Sequence, residues 1–439
     1  MATDRERADP FAAFRQFLAL ERDVLVLSLA MFAFSLGFQM TGRYMGRYFE
    51  VLGAGSVVIG LYGSLGNLVG AVYPYPGGAI SDRIGSRSAL TAFGLASTLG
   101  FLLWFLAPTL SGFPVPGWTW LFVGLPLAQA WKSFGLGATF AIVKQSVPPE
   151  ELATGFASTE TFRRTAFLLG PLLAAGVLAV YEFEVGFRYV LAVAAGFGLF
   201  ATVAQHVLYD ASEDSLGKSF EGVKQILADL RGTPAVLRPL LVGDTLVRFA
   251  NGMVYVFVVL VVTNVLEVSA RLPVVGFLGP DAFFGVLLAV EMAVALVVMI
   301  PVSKAARRFG LKPVVALGFV VYAVFPALLV NAPDGGLTVA GVSLSETALV
   351  TLLFGLSGLR FAGLPAHKAL IVGPAEENAA GRVVGSYYLA RNAVVIPSAA
   401  VGGWLYGVSP ELAFGSATAV GLVGTGYFLA FGKELPAYR

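Results

Sequence analysis

The sequence contains no cysteine and only two histidines, His206 and His367, among its 439 residues. Without cysteine the chain cannot form disulfides, thiolate-ligated zinc or iron–sulfur sites, or a thiol nucleophile, and two histidines offer little for a metal site. It also lacks the Gly-x-x-x-x-Gly-Lys-Ser/Thr loop that binds nucleotide phosphates, so ATP is not expected as a direct energy source. Because no nucleophile–base constellation is visible either, we expect no enzyme activity, no metal and no cofactor.

Charged side chains are scarce: they make up 13% of the residues, whereas 57% are hydrophobic. Soluble proteins typically contain about 25% charged and about 45–50% apolar residues. The excess extends along the whole chain and leaves too little polar surface to face water, which indicates that lipid is the main solvent. We expect an integral protein of a prokaryotic cytoplasmic membrane, with the lipid bilayer as a partner and no nucleic acid.

Apolar stretches of roughly 20 residues, the length that an α-helix needs to cross a bilayer, occur twelve times. The sequence therefore predicts an all-α polytopic membrane protein with twelve transmembrane helices in two six-helix bundles. The predicted spans are 24–49, 56–75, 88–108, 117–145, 154–181, 186–208, 239–266, 281–303, 313–332, 345–370, 381–407 and 409–432. The corresponding segments are an amino-terminal segment 1–23, a bundle 24–208, a polar linker 209–238, a second bundle 239–432 and a tail 433–439.

Basic residues indicate the orientation. They gather in the amino-terminal segment, in the linker, in the second loop, which contains Arg83 and Arg87, and in the eighth loop, which contains Arg308. The loops on the opposite side contain few basic residues beyond Arg188 and Arg271. Short basic loops stay in the cytoplasm, so both termini are predicted to be cytoplasmic.

The two halves also repeat each other. At an offset of 225 residues, as from Gly85 to Gly310, several punctuating residues coincide, and a further set coincides at 226, as from Pro171 to Pro397. Two similar bundles related by an axis along the membrane normal place a substrate site between them, near the midplane.

One loop carries a family motif. The segment Gly78-Ala-Ile-Ser-Asp82-Arg83-Ile-Gly85-Ser-Arg87 resembles the Gly-x-x-x-Asp-Arg-x-Gly-x-Arg signature that the major facilitator superfamily has between its second and third helices. The resemblance implies a secondary transporter. It also suggests that Arg83 and Arg87 form a charge latch across the cytoplasmic seam; the alternative is that they only enforce topology and snorkel to lipid phosphates.

Two further resemblances to this family are partial. The segment beginning Trp131-Lys132 is similar to a helix-four pattern that starts with Arg, but Trp131 takes the Arg position and the cation is shifted to Lys132. The segment around Gly170-Pro171 resembles a helix-five motif associated with proton-driven exporters. Close helix packing through small residues, with a proline bend, is an equally good account of that segment.

Ionisable residues inside the spans indicate a polar cavity, because each costs about 2.5–3.5 kcal/mol on insertion scales. The deep cations outnumber the anions, and only local pairs such as Asp244 with Arg248 are expected from helical spacing. The excess predicts an anionic organic or phosphorylated solute. The cations are Lys132, Arg163, Arg164, Arg248, Arg360 and Arg391, and the anions are Glu160, Asp244 and Glu291. Arg43 and Arg47, near the outer rim, are expected to snorkel.

Other polar residues, on helices that are expected to line the cavity, are further candidates for the substrate site: Gln39, Asn251, Tyr388 and Asn392. For the three amides a helix-to-helix hydrogen bond is the alternative. Protons are a candidate coupling ion, carried first by Glu291 and otherwise by Glu160 or Asp244, although a cross-helix salt bridge is an alternative role for Glu291. Both histidines are expected at the membrane interface.

The sequence therefore favours a monomeric secondary active transporter that moves a small, anionic solute by alternating access. Two alternatives stay open: a proton-coupled exporter of amphipathic, drug-like compounds, and a non-transporting membrane receptor on the same fold.

Overall fold

The computed structural model describes residues 22–73, 80–81, 83–112, 115–135, 152–209, 234–273, 276–339, 342–361, 363–374 and 380–434. Helices dominate, since apolar segments in lipid must satisfy their backbone groups internally. The first half contains α1a (Arg22–Thr41), α1b (Met45–Val51), α2 (Ser56–Val72), α3 (Ser86–Leu106), α4 (Thr119–Ala128, followed by a π-helical turn Trp131–Gly135), α5 (Leu152–Leu178) and α6 (Phe183–Leu208). The second half contains α7a (Arg238–Val254, after a 3₁₀ turn Ala235–Leu237), α7b (Val258–Leu260, followed by a π-helical turn Val261–Val265), α8 (Pro280–Phe309), α9 (Leu311–Val330), α10a (Glu346–Gly358), a 3₁₀ turn Leu359–Phe361, α10b (Leu364–Val372), α11a (Ala380–Val395), α11b (Ser398–Val408) and α12 (Pro410–Phe431).

Each of the twelve predicted spans contains a helix, which agrees with the all-α prediction. Among the described residues, six helices are long and apolar enough to cross a membrane, or eight if each bent pair forms one span. The bends are 46° between α1a and α1b and 49° between α7a and α7b. The exact number of twelve crossings stays a prediction, as does the linker boundary, because residues 210–233 lie outside the described part.

Two small hairpins interrupt the helical pattern. Strands β1 (Ala270–Leu272) and β2 (Gly276–Leu278) pair antiparallel between α7b and α8, and β3 (Leu337–Val339) pairs with β4 (Val342–Leu344) before α10a. The hairpins were not predicted, because strands of only three residues are too short to show an alternating pattern in the sequence. Both hairpins lie at the end of the molecule opposite the described termini, which we call the far end; the other end is the terminal end.

The internal repeat is visible in the backbone. Gly85 precedes α3 with φ 83°, and Gly310, at the matching position, precedes α9 with φ 91°. Such φ and ψ combinations are accessible to glycine almost alone. Just after them, Arg87 Nε donates to the carbonyl of His206 on α6 at 2.6 Å, and Lys312 Nζ donates to the carbonyl of Leu429 on α12 at 2.8 Å.

One of these contacts bears on the role expected of the loop motif. Among the described residues, Arg87 binds the last helix of its own half, where a cation also complements the helix dipole. Arg83 is exposed. The remaining motif residues, Gly78 and Asp82, lie outside the described residues, so the latch is not supported by the side chains that the structure describes.

The hydrophobic core shows where the halves meet. At the far end one cluster joins both halves; Tyr44 of α1 packs at a ring distance of 5.3 Å from Phe284 of α8, and Phe257 and Phe187 belong to the same cluster. At the terminal end the clusters of the described residues are separate, two in the first half and one in the second. The halves are therefore closed together at the far end and packed separately at the terminal end.

Small residues bring the halves into close contact along their seam. Gly60 of α2 and Gly403 of α11b face each other so closely that a Cβ on Gly60 would lie 3.0 Å from the Cα of Gly403. On the other side, a Cβ on Gly285 of α8 would lie 2.5 Å from the carbonyl oxygen of Pro171 on α5. Backbone approaches of this kind are typical of helix interfaces in membranes.

Candidate functional site

The centre of the second half contains a charged group that we call the Asp244 cluster: Asp244, Arg248, His367, Tyr387 and Arg391. Asp244 on α7a is fully buried. Its Oδ1 accepts from Arg248 Nε at 3.3 Å, one helical turn away, as the spacing predicted. Its Oδ2 accepts from Arg391 Nη1 and from the Tyr387 hydroxyl, both at 3.1 Å.

The cations of this cluster cover the carboxylate. Arg248 is 24% exposed and Arg391 16% exposed, whereas the Asp244 side chain is inaccessible. The guanidinium of Arg391 lies 4.7 Å from the Tyr388 ring and donates to Asn392 Oδ1 at 2.9 and 3.1 Å. The surface that the cluster offers to water is therefore cationic, with three of the predicted site residues side by side on α11a.

The prediction that His367 lies at the membrane interface is wrong. This residue is 4% exposed, and its Nε2 lies 3.2 Å from Asp244 Oδ2. One signal was available: His367 follows Arg360 by seven residues, about two helical turns, within the segment 345–370 that was predicted as one span. The other histidine, His206, is exposed, with Nδ1 2.9 Å from the Thr91 hydroxyl.

A second buried pair lies nearby. Arg360 Nη2 donates to Glu291 Oε1, and both side chains are almost inaccessible. The cross-helix salt bridge considered for Glu291 is therefore present. Arg360, expected to bind substrate, instead faces α8 and packs against the Phe325 and Phe361 rings, because α10 tightens into a 3₁₀ turn at this residue. Its position does not support direct contact with substrate.

Tyr322 on α9 connects the two charged groups. Its hydroxyl accepts from Arg248 Nη1 at 2.8 Å, and its ring lies 5.2 Å from the guanidinium of Arg360. Tyr322 was not predicted as a site residue, because the interior of its helix carries no charged residue.

The first half also contributes predicted site cations. Lys132 is exposed on the π-helical turn after α4, with Nζ 5.6 Å from the Phe38 ring. Arg164 of α5 is half-buried and reaches across the seam to Met299 Sδ at 3.8 Å. Trp131, in the position where the resemblance has Arg, is buried and stacks on Phe34 at 4.4 Å. The side chains of Glu160 and Arg163 lie outside the described residues.

Two of the remaining candidates lie at close helix contacts. Gly170 gives room to Gln39, because a Cβ there would lie 2.6 Å from the Gln39 Cβ, and Pro171 contacts α8 as described above. This close packing agrees with the packing alternative for the helix-five segment. Asn251 on α7a is half-buried. Among the described residues, no group of three His, Asp or Glu side chains is placed to hold a metal ion.

At the far end, four polar residues that we call the far-end network join the halves: Arg47, Glu50, Asn264 and Asp281. Arg47 Nη1 contacts Glu50 Oε2 at 2.6 Å and Asn264 Oδ1 at 2.9 Å, and its Nε lies 3.3 Å from Asp281 Oδ1. Asn264 also donates to Glu50 Oε1 at 2.6 Å. Arg47, expected to snorkel, thus binds across the seam, and Arg43 lies 4.5 Å from the Tyr255 ring of the other half.

Comparisons with known proteins agree with this architecture. The model of the Major Facilitator Superfamily matches residues 27–280. An uncharacterised MFS-type transporter of Methanocaldococcus jannaschii is 21% identical over 406 residues, covering 90% of this chain and 91% of that protein.

Solved structures share the fold. The nucleoside transporter NupG superposes with a TM-score of 0.69 at 13% identity, over 94% of this chain and 100% of that one. The peptide transporter POT in complex with sulfate gives 0.68 at 14% identity, over 96% and 98%. A POT family transporter in complex with 5-aminolevulinic acid gives 0.70 at 13% identity, over 95% and 99%.

Proposed function

The chain belongs to the Major Facilitator Superfamily, and from that premise we propose that it moves a small anionic organic or phosphorylated solute across the membrane by alternating access. Secondary transport follows from the family and from its transporter relatives. The anionic substrate is our inference from the cationic surface over Asp244. We further propose that both termini are cytoplasmic, so that the terminal end opens to the cytoplasm.

The charge balance supports an anion. Three guanidinium groups, Arg248, Arg360 and Arg391, pair with the two buried carboxylates Asp244 and Glu291. Glu291 is matched by Arg360, and Asp244 is shared by two guanidinium groups. Cations gathered around one buried carboxylate repel each other, and an anion that binds beside them relieves this repulsion through charge-assisted hydrogen bonds.

The chemistry of Arg391 points to the class of anion. Its planar guanidinium suits a carboxylate or a phosphate, which accepts two parallel hydrogen bonds, and its partial exposure leaves it accessible to a solute. Tyr388 and Asn392 both contact the guanidinium of Arg391.

Flux into proteoliposomes tests the proposal. Under an imposed solute gradient, we expect uptake of a phosphorylated or carboxylated probe, such as glucose 6-phosphate or succinate, and much less of the neutral glucose or succinamide. Arg391→Gln should lower uptake of the anionic probe by about tenfold to a hundredfold, the effect of losing one charged hydrogen-bonding partner.

Arg271→Gln, an exposed change on the β1 hairpin, is the matched control and should transport normally. Equal flux of anionic and neutral probes, or insensitivity to Arg391, would contradict the anionic substrate. Binding without any flux would favour the receptor alternative. Proton carriage by Glu291, Glu160 or Asp244 and the monomeric state remain predictions.

A further inference from the structure

One oxygen of Asp244 faces more donors than it can satisfy. Oδ2 accepts from the Tyr387 hydroxyl and from Arg391 Nη1, which use the two lone pairs of a carboxylate oxygen. His367 Nε2 lies 3.2 Å from the same oxygen, within ion-pair distance. Yet this nitrogen has no aligned hydrogen bond to any described residue. His367 is therefore next to an acceptor that other donors occupy.

We propose that His367, in place of the three carboxylates predicted above, is the proton-binding residue that couples solute transport to protons, by competing with Arg391 for Asp244 Oδ2. This rests on the anionic substrate proposed above. When His367 is neutral, Asp244 retains Arg391. When His367 gains a proton on Nε2, the imidazolium pairs with Oδ2, and the guanidinium of Arg391 is released to bind the anion.

The surroundings of His367 make the proton and the anion depend on each other. Asp244 and Arg248 face it from α7a, Tyr387 and Arg391 from α11a, and its neighbour on α10b is Lys368. From α9 the edge contact is the uncharged Phe319 ring, 6.1 Å between centroids. A third positive charge in this group is unfavourable unless an anion joins it.

The resulting coupling has a defined sign. A bound anion favours the protonated histidine, and by thermodynamic linkage a proton strengthens anion binding by the same factor. Proton and solute then travel in the same direction, as in symport. Histidine suits this task because imidazole is the side chain that most readily gains and loses a proton near neutrality.

Nuclear magnetic resonance on the full-length protein provides a direct test, because the chain has only two histidines to assign. With ring-¹⁵N-labelled histidine in nanodiscs, sulfate is a suitable probe, since its charge does not change near neutrality. At about pH 7, added sulfate should shift His367 towards the imidazolium form and leave His206 unchanged. No response of His367 when sulfate binds would overturn the proposal.

Calorimetry on variants provides the second measurement. In the wild type, sulfate binding should take up about half a proton near neutrality and weaken roughly tenfold from about pH 5.5 to about pH 8. In His367→Gln both effects should vanish while sulfate still binds, whereas His206→Gln should behave as wild type. If His367→Gln keeps the pH dependence, the coupling proposal is wrong but the anion site stands. If sulfate and the anionic flux probes all fail to bind to the wild type, the anion site itself is wrong.

Discussion

The far-end network should control the equilibrium between the two open states, and Arg47→Met tests this directly. Arg47 makes two contacts across the seam, with Asn264 and Asp281, while its bond to Glu50 stays within α1b and does not break on opening. The side chains of Arg47 and Asp281 are about a quarter exposed. Partial exposure limits each contact to about 1 kcal/mol. Arg47→Met should therefore favour opening at the far end by about 2 kcal/mol, or roughly thirtyfold in the ratio of open to closed protein.

A spin-label distance measurement can detect this opening. Because the sequence has no native cysteine, a pair of cysteines can be introduced for labelling without removing others. Spin labels at Ser111→Cys and Asp334→Cys, exposed positions in far-end loops of the two halves, would report the opening by pulsed electron resonance. Arg188→Met is the control, since Arg188 packs on Phe105 within the first half. The reasoning is refuted if Arg47→Met leaves the distance distribution unchanged, or if Arg188→Met changes it equally.

Three further changes have defined outcomes. Glu291→Gln should lower the stability to thermal unfolding by about 3 kcal/mol, because it leaves Arg360 buried without its counter-charge. Adding Arg360→Met should recover much of the lost stability, and an unchanged melting temperature for the single variant would contradict this reasoning. Gly285→Ala should force α8 away from α5 and disturb far-end closure in the spin-label assay, whereas Gly176→Ala, whose Cβ meets nothing within 4 Å, should not. Gly85→Ala should cost about 1–3 kcal/mol in thermal unfolding, because φ 83° is strained for alanine; full stability would show that the turn can relax.

Features that depend on local spacing could be predicted from the sequence. The apolar runs locate the helices, the repeat offset relates the two turns at Gly85 and Gly310, and helical periodicity pairs Asp244 with Arg248. In each case the relevant information lies within a few residues or in a comparison of the two halves. The bends in α1 and α7 were not predictable in this way, because neither bend contains a proline.

Contacts between distant helices were harder to predict. Glu291 and Arg360 are 69 residues apart, and their pairing depends on the 3₁₀ turn that rotates Arg360 towards α8. His367 was misplaced for the same reason: its distance from the end of its helix suggested an interface, but packing between α9 and α11a encloses it. Tyr322 carries no charge, so its role as a link became visible only from its neighbours.

The meeting of Gly60 and Gly403 has a mechanical consequence. Interlocked side chains resist relative motion, because each must leave its rotamer and its groove before the next position becomes available. Where glycine backbones face each other, no side chains interlock. Helix α2 can therefore slide and tilt on α11b while staying in van der Waals contact. The contact between α2 and α11b can therefore act as a sliding interface. Bulky residues there would slow the interconversion of the open states without weakening substrate binding.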